Sequence, residues 1–235
     1  MKKKLKIDEH DATIVYQAED PGQWVLEFTD ELIADTMDSK YKVSGKGQIN
    51  KQIATYIYEY LEGYHIQTHF IKSLGTKELL LRNIEMFPLE VIIHNIANDD
   101  FSHRFGLAQF EELMLPVTEY FLFHENGQRI MINMSHALAF CHINADDFKT
   151  IERLAAKANV VLKSLFMRRN LKLMNIRLRF GKFTNKIMLA TTLSLDTLSF
   201  LDPVTNHNYT AIWHKDNIDQ AQQYYEKLND LIFKT

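Results

Sequence analysis

Glu85-Met86-Phe87-Pro88-Leu89-Glu90-Val91-Ile92-Ile93-His94-Asn95 joins two strand-like runs through a proline. Leu79 to Met86 forms one run and Leu89 to Asn95 the next. Proline has no amide hydrogen to give to a sheet ladder, so Phe87-Pro88 predicts a break between them. The expected consequence is a hinge at Met86 to Pro88. It would divide the chain into an N-terminal β-rich lobe with one helix, residues 1–86, and a C-terminal α+β lobe, residues 87–235.

Upstream of that stretch, Thr13-Ile14-Val15-Tyr16 and Trp24-Val25-Leu26-Glu27-Phe28 are β-rich runs separated by the turn signal Asp20-Pro21-Gly22. Ile49, Ile53, Ile57 and Leu61 recur every four residues and predict a helix from Lys46 to Glu62, with Gly63 as its stop. Gln67 to Ile71 reads as a further strand. Downstream, Tyr120 to Phe123 and Ile130 to Ile132 flank Asn126-Gly127, a hairpin signal. Asn144 is placed to cap a long helix, with Asp147 near the positive end of its dipole. Phe148, Ile151, Ala155, Ala158, Leu162 and Leu165 would form that helix's core face. A hairpin from Leu173 to Leu189 turns near Thr184-Asn185. A last helix from about Asp216 to Phe233 turns Ile218, Ala221, Tyr225, Leu228 and Ile232 inward. Hairpins mixed with helices indicate an α+β fold rather than a doubly wound parallel sheet.

Composition narrows the function class. Hydrophobic residues make up 46% and charged residues 24%, the balance of a soluble globular protein. A net charge of -3 gives no argument for nucleic acid or an anionic membrane as partner, and neither is expected. No run is apolar and long enough for a signal peptide or a bilayer span, and a cytoplasmic location is expected. Cys141, the single cysteine, reads as a small buried apolar residue.

Among polar residues, Asn175, Arg177 and Arg179 alternate along one strand and would share a face, with Leu178 and Phe180 toward the core. Two neighbouring guanidinium groups either bind an anion or pair with carboxylates of an adjacent strand. His65 and His69 are four apart, but their surroundings look extended, so the spacing does not mark a metal site. Asp8-Glu9-His10-Asp11 and Asp99-Asp100 read as a solvated loop and a helix cap. No resident metal is expected.

The segments, taken in order, resemble the SAICAR synthetase family. Lys46-Gly47-Gln48-Ile49-Asn50 is similar to that family's K-G-x-x-N helix start, and Ile66 to Phe70 to its I-P-T-H-F strand. The Glu85 to Asn95 stretch resembles its P-L-E-V-V-V-R-N signature, followed by Arg104-Phe105-Gly106. Leu178-Arg179-Phe180-Gly181 resembles its F-K-L-E-F-G hairpin. Ser194-Leu195-Asp196 with Leu201-Asp202 resembles S-P-D…W-D, and Lys215-Asp216 resembles the K-D that opens the last helix.

The resemblance implies a two-lobed fold with antiparallel sheets and an ATP-type cleft between the lobes. It implies ATP and magnesium as cofactors, and relatives that self-associate. The implied reaction phosphorylates the carboxylate of carboxyaminoimidazole ribonucleotide, after which the aspartate amine attacks the acyl phosphate. By the same resemblance Ala12, Val15, Met86 and Arg179 lie at the nucleotide, and Glu90, His94, Asn95 and Arg104 at the substrate. Arg177, Asp196 and Lys215 are the remaining candidates for catalysis.

The chain departs from the family pattern where charge matters. The lysine-bearing motif for ATP phosphates reads His10-Asp11-Ala12-Thr13, and the near-terminal glycine loop reads Ala34-Asp35-Thr36-Met37. The family arginine before the asparagine is His94. The nucleotide-phosphate segment is Asn98-Asp99-Asp100, and a further phosphate-binding arginine falls at Ser199. The metal-linked glutamate is Arg179, the following acidic pair is Thr191-Thr192, and the hairpin's aspartate and lysine are Asn175 and Arg177. The expected function is therefore that of an impaired or inactive homologue. A ligase with relocated contacts, and a metal-free module binding a nucleotide, another small anion or a protein, are the alternatives.

Overall fold

The computed structural model describes residues 5–10, 12–32, 41–123, 128–211 and 217–234. The first part carries β1 Lys6–His10, β2 Thr13–Gln17, β3 Gln23–Phe28, β4 Glu31–Leu32, β5 Tyr41–Lys42 and α1 Lys46–Gly63. Then come β6 Phe70–Ser73, β7 Glu78–Arg82, β8 Glu85–Ile96, α2 Asp99–Phe105, β9 Glu112–Phe123, β10 Arg129–Ile132 and α3 Met134–Phe140. The chain continues with α4 Ala145–Met167, β11 Lys172–Phe183, β12 Lys186–Leu189, β13 Ser199–Leu201 and β14 Asn208–Tyr209. A 3-10 turn, Ile218–Gln220, leads into α5 Ala221–Phe233.

Two antiparallel sheets dominate. The smaller has the order β1-β2-β3-β7-β6. The larger has the order β10-β9-β8-β11-β13-β14, with β12 paired to β11. Helices pack on these sheets rather than alternating with parallel strands, as an α+β fold requires.

Pro88 does not interrupt a strand, because β8 runs through it. The break falls earlier, at Asn83-Ile84, between β7 and β8. The ladder explains the tolerance. Pairing with β9 starts at Leu89, opposite Leu122. On the other side the β11 register jumps between Arg179↔Glu90 and Gly181↔Met86. Pro88 thus sits at a bulge, where no ladder hydrogen bond is asked of it.

α1 joins the two sheets because both of its flanks are apolar. Ala54 and Tyr58 pack with Val15, Leu26, Phe28, Leu79 and Leu81 of the smaller sheet. Ile53, Ile57 and Leu61 enter the main core, with Ile49 partly buried beside them. Gly63 belongs to the helix, Tyr64 caps it, and His65 takes the left-handed conformation at φ 58°. The strand expected over Gln67 to Ile71 begins only at Phe70. The residues before it cross to the larger sheet instead: Leu189 N–H donates to Gln67 O at 2.9 Å and His69 N–H to Leu189 O at 3.0 Å.

The remaining elements follow the sequence pattern. The Asn144 side chain accepts from Asp147 N–H, capping α4. All six expected core residues of α4 are buried. Each large apolar side chain so buried contributes roughly 1.5–3 kcal/mol. Thr184 and Asn185 both have positive φ, 44° and 63°, the pair that a two-residue hairpin turn needs. β9 and β10 form the expected hairpin, whose Asn126-Gly127 turn lies outside the described residues. The last helix starts at Ala221, later than expected, and Ala221, Tyr225, Leu228 and Ile232 are buried. No helix among the described residues is long and apolar enough to cross a membrane.

Candidate functional site

A groove of about 460 Å³ lies on the face shared by β8, β9 and β11. Strand register builds it. Arg177 is opposite Ile92, which is opposite Glu119. Asn175 is opposite His94, and Arg179 is opposite Glu90, which is opposite Phe121. Alternation sends these side chains to one face, as expected for Asn175, Arg177 and Arg179. α2 adds Asp100 and Arg104 to the wall, and β10 adds Arg129. Asn98 opens α2 by accepting from Phe101 N–H, which fixes where Asp100 and Arg104 point.

Most of the charge in the groove is internally paired. Arg104 grips Glu119 with two parallel bonds, Nη1 to Oε1 at 2.8 Å and Nη2 to Oε2 at 3.0 Å. Its Nε donates to Asp100 Oδ2 at 2.9 Å. His94 Nε2 lies 2.9 Å from Glu119 Oε2. A carboxylate only accepts, so this nitrogen carries the proton. Arg129 Nη1 meets Glu90 Oε2 at 2.6 Å and stacks on Phe121.

The electrostatics follow from burial and pairing. Burial is the largest influence on His94 and lowers its pKa, against the opposing pull of Glu119. For Glu119, burial raises the pKa, but the bonds from Arg104 and the charges of His94 and Arg104 outweigh it and hold the carboxyl low. The hydrogen bonds to Glu119 lead in raising the Arg104 pKa.

A second polar centre lies away from the groove. Asp196 Oδ2 accepts from Lys46 Nζ at 2.6 Å and from Asn50 Nδ2 at 2.9 Å, while Tyr225 Oη donates to Oδ1. Asn50 Oδ1 accepts Leu195 N–H at 3.2 Å. The start of α1 is tied further by Asp30, whose carboxylate accepts Gly47 N–H at 2.9 Å and Lys77 Nζ at 2.6 Å. The Lys-Gly-x-x-Asn and Ser-x-Asp segments therefore meet in space as a buried brace.

The SAICAR synthetase family profile matches residues 7–229. The chain belongs to the SAICAR synthetase family. The phosphoribosylaminoimidazole-succinocarboxamide synthase of Clostridium novyi (strain NT) is 33% identical over 230 residues, 97% of each chain. The crystal structure of the synthase from Ehrlichia chaffeensis matches with TM-score 0.86 at 28% identity, covering 97% of this chain and 98% of that one. A type-2 SAICAR synthetase solved in complex with ADP matches with TM-score 0.85 at 29% identity, covering 97% of both chains.

Against the family pattern, the expected site residues separate. His94, Arg104 and Arg177 line the groove, and Glu90 stands behind Arg129. Asn95 does not. It is on the opposite face of β8 and forms a closed amide pair with Asn159, at 2.9 and 2.8 Å. Asp196 is fully engaged in the brace, and Lys215 lies outside the described residues. Ala12 has φ 54° and offers its carbonyl to Thr29. Val15 packs in the small-sheet core, and Met86 packs with Ile84, Met188 and Ala190. The Arg179 guanidinium lies 4.2 Å from the Phe123 ring centroid. The Ala34 to Met37 loop and Asp11 lie outside the described residues.

The donor set does not suit the family's magnesium. Mg²⁺ demands carboxylate or phosphate oxygens in octahedral array. Where the resemblance puts metal carboxylates, this chain has the Arg179 guanidinium and Thr191, whose hydroxyl accepts the Arg179 backbone N–H. Among the described residues no cluster of three or more His, Cys, Asp or Glu is placed to hold a metal. His65, in a left-handed turn, and His69, buried against Tyr58, do not form a pair. Cys141 is buried and its thiol is pushed up to about 11.

The sequence does not mark Glu119 or Arg129 as site residues, and it marks Lys46 and Asn98 only as members of the helix-start and nucleotide-phosphate segments. The available signal for Glu119 was a lone carboxylate two residues before Phe121 on a strand, which marks a shared face but not a buried ion pair.

Proposed function

We propose that this SAICAR synthetase relative keeps the family's scaffold but is impaired or inactive in ATP-dependent joining of L-aspartate to carboxyaminoimidazole ribonucleotide. On this reading residues 1–86 and 87–235 are its two lobes, with the nucleotide cleft between them, and it works in the cytoplasm. The observation that carries the reading is the Arg104–Glu119–His94 cluster. The reaction gathers a triphosphate, a ribonucleotide phosphate and carboxylates, and only cations and backbone donors can offset that charge. Here Arg104 is matched to Glu119 and Asp100, and Arg129 to Glu90. A phosphate entering the groove would have to displace a buried carboxylate from its partner, which costs several kcal/mol.

Arg177, exposed at the same groove, supports a second reading: a residual metal-free anion site on Arg177 and Arg179. Thermal shift separates the two. The first predicts no gain in melting temperature from millimolar ATP with magnesium or from the imidazole ribonucleotide. The second predicts a rise with phosphate that persists in chelator and disappears in Arg179→Ala. A rise of roughly 5 °C or more that needs magnesium and ATP together, and is lost in chelator, would contradict both.

A further inference from the structure

Tyr56, Tyr60 and Tyr64 recur every four residues, so α1 presents them as one row. Neighbouring ring centroids are 6.2 Å apart for Tyr56 and Tyr60 and 5.1 Å for Tyr60 and Tyr64. The end of α4 sets Arg168 and Arg169 against this row. The Arg168 guanidinium lies 6.0 Å from the Tyr60 centroid and bonds its hydroxyl, and Arg169 Nη2 donates to Tyr56 Oη at 3.4 Å. With Leu165 these residues line a groove of about 420 Å³. That is the size range of small-molecule sites.

Its charge pattern is the reverse of the β8–β9–β11 groove. Among the described residues the lining holds two guanidinium groups and three phenols and no carboxylate side chain. Arg168 is partnered by neutral phenol oxygens, so its charge is not cancelled where it stands. Tyr56 and Tyr60 back onto the main core, which holds their rings in place before any ligand arrives. Tyr64 is 45% exposed and leaves a ring face open to stacking.

We propose that this groove binds a small aromatic ring bearing an anionic group, phosphate or carboxylate. The ring stacks on Tyr60 and Tyr64, and the anion meets Arg168 and Arg169. The site is separate from the family cleft and needs neither a metal nor any ligase activity.

Isothermal titration of the full chain tests it, with phenyl phosphate and benzoate as probes and with inorganic phosphate, acetate and phenol standing for their separate anionic and aromatic halves. Phenyl phosphate or benzoate, or both, bind roughly tenfold or more tighter than their halves, and the stronger of the two names the anion. Arg168→Gln weakens that binding roughly tenfold, because a charge-assisted bond is lost. Tyr64→Ala, at an exposed ring, weakens it several-fold. Absence of binding by both probes at millimolar concentration, or equal affinity in Arg168→Gln and the parent, overturns the proposal.

Discussion

Lys46 Nζ lies 2.6 Å from Asp196 Oδ2, joining the first turn of α1 to a segment 150 residues further along the chain. Lys46 is 1% exposed, and Asn50 and Tyr225 complete the shell around the carboxylate. Two motifs that resemble parts of a ligase site thus act in this chain as a structural tie between the N-terminal helix and the C-terminal segments.

Removing either partner strands a buried charge. Asp196→Leu and Lys46→Met should each cost about 3–5 kcal/mol, whereas the double substitution should cost clearly less than their sum. Urea unfolding of the three variants measures this.

Glu119→Gln should have two opposed effects. Stability falls by about 2–4 kcal/mol, because Arg104 and His94 lose their charged partner in a nearly closed site. The groove simultaneously turns cationic, so phosphate should bind more tightly than to the parent chain. Chemical denaturation and phosphate titration of the same variant check both, and unchanged phosphate affinity would mean that Glu119 does not set the groove's charge.

Stability should decline in mild acid through His69. Burial, with a smaller contribution from the Arg82 charge, lowers its pKa to about 3. An unfolded histidine titrates near 6.5, so below that pH the unfolded chain takes up a proton that the folded chain refuses. Stability is full above about pH 6.5 and falls toward pH 3, by about 1.5 kcal/mol between pH 6.5 and pH 5 from this group alone. His94, lowered by burial as well, acts in the same direction. His69→Phe, beside Tyr58 and Phe70, should reduce the slope of urea midpoint against pH over that interval.

Gly181 sits at the bulge opposite Met86. A Cβ there would meet Glu85 O and Ile84 Cδ1, both at 2.7 Å. Gly181→Ala should therefore cost about 1–3 kcal/mol, read as a lowered melting temperature.

Local pattern made much of the fold legible. The α4 core stripe, the Thr184-Asn185 turn and the alternation of Asn175, Arg177 and Arg179 are short-range signals, and each stands as expected. Pro88 misled because its tolerance depends on two neighbouring strands whose register the local sequence does not encode. The site was less legible for a related reason. That His94 faces a groove and Asn95 faces α4 follows only once the buried side of β8 is known. Glu119 looks like any strand carboxylate until α2 folds back and delivers Arg104 to it.

Steady-state turnover of the purified chain with ATP, magnesium, L-aspartate and carboxyaminoimidazole ribonucleotide tests the central claim most directly. Internal pairing of Arg104 and Arg129 predicts product formation far below ordinary enzyme rates, even at saturating reactants. A kcat of about 1 per second or more, the common range for working enzymes, would contradict it.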